Sequence, residues 1–343
     1  MTLIKSISGI RGTIGGSVEN NLTPIDAVNF GCAYAKWLIK KKSISKNKVI
    51  IGRDARVSGK MIQNLVQSSL ISMGIDVVDL GLSTTPTVEI MVKKYNADGG
   101  IIITASHNPK EWNALKLLNK NGEFLNKHEG KEIVNYYKNK KFKFSKVDEL
   151  GTSIKLKNSI NQHIKYVLNL ELVKTKKIKS KKLKIVVDAV NSTGGIIIPK
   201  LLKKLNIDVV ELYCEPNGDF PHNPEPLKKN LKDLSQKVIE CGADMGIAVD
   251  PDVDRLVFIC ENGEIFGEEN TLVACADYVL SKNPGSTVSN LSSSIALRDI
   301  TEKYNQTHFY SAVGEVNVIE KMKKVNAVIG GEGNGGVIYP ESH

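Results

Sequence analysis

The feature that most restricts the fold is a recurring unit. A short apolar, β-branched run leads into a loop of small or polar residues, and an amphipathic stretch with helix punctuation follows. Val49–Ile51, Ile75–Leu80, Gly99–Ile103, Lys184–Val187, Met245–Val249, Thr287–Leu291 and Val328–Ile329 are runs of this kind. Short, almost uninterrupted apolar runs suit strands covered on both faces, as in parallel sheets flanked by helices. Thr23-Pro24, Ser58 and Pro86 mark helix starts, and Gly74 and Gly242 mark helix stops. The pattern predicts an α/β chain with largely parallel sheets. A polar, Lys-rich passage from Lys138 to Gly151 reads as a domain boundary.

Composition narrows the class. The hydrophobic content of 41% is that of a globular protein, and no apolar run approaches a membrane span. The N-terminus carries no long apolar core, so neither a secretory leader nor a membrane partner is expected. The five cysteines (Cys32, Cys214, Cys241, Cys260, Cys275) are scattered and form no CxxC pair. Reduced thiols in a cytoplasmic protein are expected, rather than a disulfide scaffold or a zinc site. The net charge is +10, but of 47 basic residues only Arg11, Arg53, Arg56, Arg255 and Arg298 are arginine. Lysine clusters with little arginine or aromatic interleaving read as a solvated surface and not as a nucleic-acid reader. Arg11, Arg53 and Arg255 each lie in or beside a Gly- or Asp-bearing loop candidate, where a planar guanidinium suits phosphate.

Three strand-end loops carry the chemistry. Thr104-Ala105-Ser106-His107-Asn108-Pro109 follows the Gly99–Ile103 run and places a hydroxyl beside an imidazole where α/β sheets bind ligands. No oxyanion-hole motif or acid partner for His107 emerges, so the pair is not read as part of a hydrolase triad. Lys116 lies ten residues further on, in a strand from which it could reach back over the loop. Asp250-Pro251-Asp252-Val253-Asp254-Arg255 follows the Met245–Val249 run. Three carboxylates at alternate positions repel one another without a counter-charge, and a divalent cation such as Mg²⁺ supplies one. An EF-hand is excluded, since Arg255 stands where its loop needs Gly and strand-like runs flank the segment. Gly330-Gly331-Glu332-Gly333-Asn334-Gly335-Gly336 surrounds a carboxylate and an amide with glycines, which suits recognition of sugar hydroxyls. Near the start, Ser8-Gly9-Ile10-Arg11-Gly12 sets an arginine between glycines.

Taken together these motifs resemble the α-D-phosphohexomutase superfamily, which includes phosphoglucomutase, phosphomannomutase and phosphoglucosamine mutase. The resemblance runs along essentially the whole chain. It implies consecutive three-layer α/β domains around a central cleft, expected here at 1–150 (phosphoserine loop), 151–256 (metal loop) and 257–343 (sugar loop). It implies that Ser106 is carried as phosphoserine and that Asp250, Asp252 and Asp254 bind Mg²⁺ together with its phosphate. Arg11 and Lys116 match positions that meet phosphate or assist proton transfer, and His107 is placed with the catalytic loop. Arg255, Gly314, Glu332 and Asn334 are the expected substrate contacts. The implied activity interconverts hexose 6-phosphate and hexose 1-phosphate through a sugar 1,6-bisphosphate, in a cytoplasmic monomer or homodimer. The Thr-Ala-Ser-His form leans toward glucosamine 6-phosphate as substrate. Phosphoglucomutase or phosphomannomutase activity, or a non-catalytic phosphosugar-binding remnant, are the alternatives. Asn334 and Gly336 stand where the family commonly has Ser and His, which bears on sugar choice. The family's fourth domain, with its phosphate-gripping loop, has no counterpart in this sequence. A shortened form with poor turnover is therefore the expectation.

Overall fold

The computed structural model describes residues 1–6, 9–41 and 46–342. Ser8 of the N-terminal motif lies outside the described residues. The chain forms two compact units, one of Met1–His163 with Asn217–Phe220, the other of Ile164–Pro216 with Pro221–His343.

In the first unit the elements run β1 (Ile4–Ser6), β2 (Gly9–Thr13), α1 (Pro24–Lys41), β3 (Lys48–Arg53), α2 (Gly59–Ser72), β4 (Asp76–Leu82) and α3 (Thr85–Lys94). They continue with β5 (Gly99–Ile103), β6 (Trp112–Leu118), α4 (Lys127–Asn139) and β7 (Ser153–Lys155). The strands make one sheet in the order β1-β2-β6-β5-β3-β4-β7. β5, β3, β4 and β7 are mutually parallel, and β1, β2 and β6 join by antiparallel pairing. Alternate residues divide the faces. Val49, Ile51, Ile101, Ile103, Leu115 and Leu117 pack with α1, α2 and α4 in one core. On the other face α3 comes so close that a Cβ on Gly52 or Gly100 would meet Val88 or Val92. This gives helix, sheet and helix in three layers.

The division between the units falls within the sequence of helix α5 (Ser159–Leu168). The second unit holds α6 (Thr175–Ser180), β8 (Lys184–Asp188), α7 (Gly194–Lys204), β9 (Asp208–Leu212), α8 (Lys232–Cys241), β10 (Met245–Val249) and β11 (Leu256–Cys260). It continues with α9 (Glu268–Leu280), β12 (Thr287–Asn290), α10 (Ala296–Lys303), β13 (His308–Ser311), α11 (Glu315–Val325), β14 (Ile329–Glu332) and β15 (Gly336–Ile338). Two four-stranded sheets result, β11-β10-β8-β9 and β13-β12-β14-β15. Each is parallel within and carries one antiparallel edge strand, β11 or β15. Separate apolar clusters lie on the two faces of each sheet. The chain is thus three consecutive α/β domains with mixed, largely parallel sheets.

Three local features are decided by tertiary contacts. Arg11 sits in strand β2, not in a loop, because β2 is held on both sides by antiparallel neighbours. Ser58 stands at the start of α2 without capping it; its hydroxyl accepts from Asn113 Nδ2 at 2.9 Å instead. Strand β7 has no apolar pattern and is exposed throughout, so only its pairing with β4 makes it a strand.

Candidate active site

Ser106 lies directly beyond the C-terminal end of β5 in a left-handed conformation, φ 48°. That geometry is uncommon for a residue with a Cβ and needs a surrounding structure to hold it. The holding network is buried. Ser106 N–H donates to Thr104 Oγ1 (3.0 Å), and the Thr104 hydroxyl donates to Asp54 Oδ2 (2.7 Å). Arg56 Nε donates to the same Asp54 oxygen at 3.0 Å. The remaining Arg56 donors reach the carbonyls of Ser106 (2.5 Å), Asn108 (2.6 Å), Pro109 (2.6 Å) and Trp112 (3.1 Å). Arg11 Nη1 donates to Asn108 Oδ1 at 3.3 Å, which brings Arg11 to the serine loop. Lys116, half-buried on β6, pairs with Ile102 of β5 and holds its ammonium 5.6 Å from the centre of the Phe124 ring. His107 is half-buried in the same loop.

The arginine that organises this loop is Arg56, which sequence reading passed over in favour of Arg53. Arg53 donates to its neighbour's carbonyl, Asp54 O, at 3.0 Å, and burial lowers its pKa. The missed signal is Arg56 two residues after Asp54, in a chain with five arginines.

In the second unit Asp250, Asp252 and Asp254 occupy the turn from β10 to β11. One carboxylate oxygen from each lies within 4.8 Å of the others, and Asp250 and Asp252 are fully buried. Asp250 Oδ1 accepts from the backbone N–H of Asp254 (3.2 Å) and of Arg255 (3.3 Å), which curls the turn around it. Val253 takes φ 63°, strained for a β-branched residue. The hydroxyls of Ser192 and Thr193 both donate to Pro251 O, at 2.7 and 2.8 Å. Converging hard oxygen donors with two buried carboxylates fit a cation such as Mg²⁺.

The glycine loop packs on this turn. Leu256 N–H donates to Gly335 O at 3.2 Å, and a Cβ on Gly335 (φ 90°) would meet Leu256 O at 2.6 Å. Glu332 Oε1 accepts from Gly314 N–H (2.9 Å) and Asn290 Nδ2 (2.5 Å). Asn290 in turn accepts from the Ser292 and Ser293 hydroxyls, and Ser293 Oγ accepts from Gly333 N–H. Asn290 was not anticipated, although an Asn closing a strand shortly before a run of three serines is an Asx-turn signal. Arg255, Asn334, Gly333, Ser292, Glu268 and Glu269 line a cavity of about 380 Å³, which Glu225 also borders. Glu225 lies 3.8 Å from the Arg255 guanidinium. Arg255, Gly314, Glu332, Asn334 and the three aspartates therefore belong to the second unit; Ser106, His107, Lys116 and Arg11 belong to the first.

Comparison with known proteins identifies the family. Family models described as phosphoglucomutase/phosphomannomutase alpha/beta/alpha domains I, II and III match residues 3–144, 161–263 and 268–343. A phosphoglucomutase/phosphomannomutase of Thermococcus kodakarensis is 37% identical over 334 residues, covering 96% of this chain and 72% of that one. A probable phosphoglucosamine mutase of Methanopyrus kandleri is 33% identical over 338 residues, covering 98% and 71%. The crystal structure of a putative phosphomannomutase from Thermus thermophilus superposes with a TM-score of 0.87 at 25% identity, covering 100% of this chain and 76% of that one. A Burkholderia thailandensis phosphoglucomutase/phosphomannomutase family protein shares the fold, with a TM-score of 0.84 at 24% identity and coverage of 99% and 72%. The chain belongs to the α-D-phosphohexomutase superfamily, and its class of activity is that of a phosphohexomutase, an isomerase. Among the described residues no helix is long and apolar enough to cross a membrane.

Proposed function

We propose that the protein interconverts the 6-phosphate and 1-phosphate of a hexose through a phosphoserine at Ser106, with glucosamine 6-phosphate the preferred substrate. The observation that carries the reading is the three-carboxylate turn packed against the Gly-Glu-Gly-Asn loop. It joins a metal-type donor set to a carboxylate and amide suited to sugar hydroxyls. In this reading phosphorylated Ser106 gives its phosphoryl group to a hydroxyl of the bound hexose monophosphate. Arg11 pairs with phosphoryl oxygens, Lys116 handles the hydroxyl proton, and His107 shapes the loop. Arg255, Gly314, Glu332 and Asn334 bind and orient the sugar. The resulting bisphosphate presents its other end, and that phosphoryl group returns to Ser106. A Mg²⁺ held by Asp250, Asp252 and Asp254 supplies charge neutralisation for transferring phosphoryl oxygens. We assign these roles to three domains at 1–150, 151–256 and 257–343.

Two observations support the amino sugar. Probable phosphoglucosamine mutases stand among the relatives. Glu268 and Glu269 line the cavity beside Asn334, where carboxylates would meet an ammonium group. The Thermococcus relative at 37% identity supports glucose or mannose phosphate as the second reading. The test has two parts. Incubation with a hexose 1,6-bisphosphate is expected to add one phosphoryl group to the chain by intact mass, and none to Ser106→Ala. Turnover of glucosamine 6-phosphate is then compared with glucose and mannose 6-phosphates, with a bisphosphate primer present. No phosphoryl gain overturns the mutase reading, and a preference for glucose or mannose 6-phosphate overturns the amino-sugar assignment.

A further inference from the structure

We propose that Arg56 is a positioning residue for phosphoryl transfer at Ser106, acting through the backbone of the serine loop; this rests on the mutase reading above. Arg56 is 1% exposed, and each of its five guanidinium N–H groups has an acceptor. Four of those acceptors are main-chain carbonyls of residues 106, 108, 109 and 112, the segment that carries the candidate nucleophile and turns back into β6. The fifth is Asp54 Oδ2, which also receives the Thr104 hydroxyl and so closes a ring back to Ser106 N–H. Ser106 is therefore gripped at both its N–H and its carbonyl, which holds its φ at 48°.

The chemistry of the grip requires arginine. Buried carbonyls that converge on one point need donors in a fixed plane, and a guanidinium supplies five where an ammonium supplies three on a flexible stem. Asp54 balances the buried charge, with Arg56 Nε 3.0 Å from its carboxylate and neither side chain exposed. The Phe220 ring, from a segment that folds with the first unit, lies 5.0 Å from the guanidinium carbon and covers it. Gly218 beside it has no room for a Cβ, which would meet Ala55 O at 2.1 Å. Thr104, Asp54 and Arg56 are all buried, and their effect on chemistry passes through the position of Ser106 Oγ. A displacement near 1 Å at a reacting atom lowers a rate by about 100-fold.

The experiment compares wild type, Arg56→Lys and Arg56→Ala in three readouts. These are the single-turnover rate of Ser106 phosphorylation by a hexose 1,6-bisphosphate, its half-saturating concentration, and amide hydrogen exchange of the peptide spanning 104–112. Arg56→Lys is expected to slow phosphorylation about 100-fold with the half-saturating concentration unchanged. The loop peptide should exchange at least about 10-fold faster while helices α1 and α2 keep their protection. Added guanidinium ion should restore part of the rate in Arg56→Ala. Wild-type rate and wild-type loop exchange in Arg56→Lys overturn the proposal. So does a loss of rate accompanied by equal loosening of α1 and α2, which is a general stability effect. If Arg56→Ala does not fold, the lysine variant alone decides. If wild type takes up no phosphoryl group, the mutase reading fails, while the exchange of the loop peptide still decides whether Arg56 holds it.

Discussion

The serine loop and the aspartate turn solve the same structural problem with opposite charge arrangements. Each leaves the C-terminal end of a buried strand, and each holds a non-glycine residue at positive φ, Ser106 at 48° and Val253 at 63°. At the serine loop the cation is internal, since Arg56 is buried against Asp54 and gathers four carbonyls. At the aspartate turn the ties include neutral ones: the Ser192 and Thr193 hydroxyls on Pro251 O, and two N–H groups on Asp250. Three carboxylate groups remain within 4.8 Å of one another. The first loop is tied through a buried ion pair, whereas the second gathers three carboxylates into a donor set that fits a cation. On the proposed reading, a hydroxyl that gains and loses a phosphoryl group benefits from a fixed mount, and a bound cation would offset the repulsion among the three carboxylates.

The largest test of that contrast is at the metal turn. Asp252→Asn is expected to lower mutase turnover about 1000-fold, and chelation of Mg²⁺ should do the same to wild type. In metal-free protein the same substitution should raise the melting temperature, because it removes one of three crowded charges. A metal-free variant no more stable than wild type would break the comparison. Next in size is Thr104→Val, which removes the hydroxyl between Asp54 and Ser106 N–H. It should destabilise the first unit by about 1–3 kcal/mol in denaturant titration, leaving buried partners without that bond. The matching change at the other loop, Ser192→Ala, leaves Thr193 still donating to Pro251 O. It should cost about 1 kcal/mol or less.

A smaller effect separates two histidines of the second unit by the sign of their pH dependence. Burial opposes charge on His222, but Asp188, 2.9 Å away, outweighs it and raises the pKa. Its contribution is full below about pH 6.5 and is lost as pH rises through the raised folded value. Burial, assisted by Arg298, pushes His308 down to about 4. The ring stays neutral in the fold while the unfolded chain takes up a proton, so stability falls as pH drops from about 6.5 toward 4. Melting temperatures from pH 4 to 8 should lose the high-pH decline in His222→Asn and part of the low-pH decline in His308→Gln. Smallest of all, Val253→Gly should change stability by about 1 kcal/mol or less. Relief at positive φ offsets the loss of a partly buried side chain.

Much of this was legible in the residues. Uniform β-branched runs announced strands buried on both faces, and glycine and proline placed most helix ends. Three aspartates at alternate positions after such a run identified a metal-type loop, because like charges so close in sequence stay close in any fold. The Gly-Glu-Gly-Asn run was legible for a similar reason, since backbone freedom is a property of the residues themselves. What the sequence could not give is contact between distant segments. Arg56 is 50 residues or more from every carbonyl it holds. Its role therefore appears only when β3 and β5 pair side by side. Asn290 meets Glu332 only because β12 and β14 are parallel neighbours. Short-range chemistry, including charge spacing, turn residues and apolar runs, is written in the chain. Which buried donor meets which carbonyl is decided by sheet order, and that is a property of the tertiary structure.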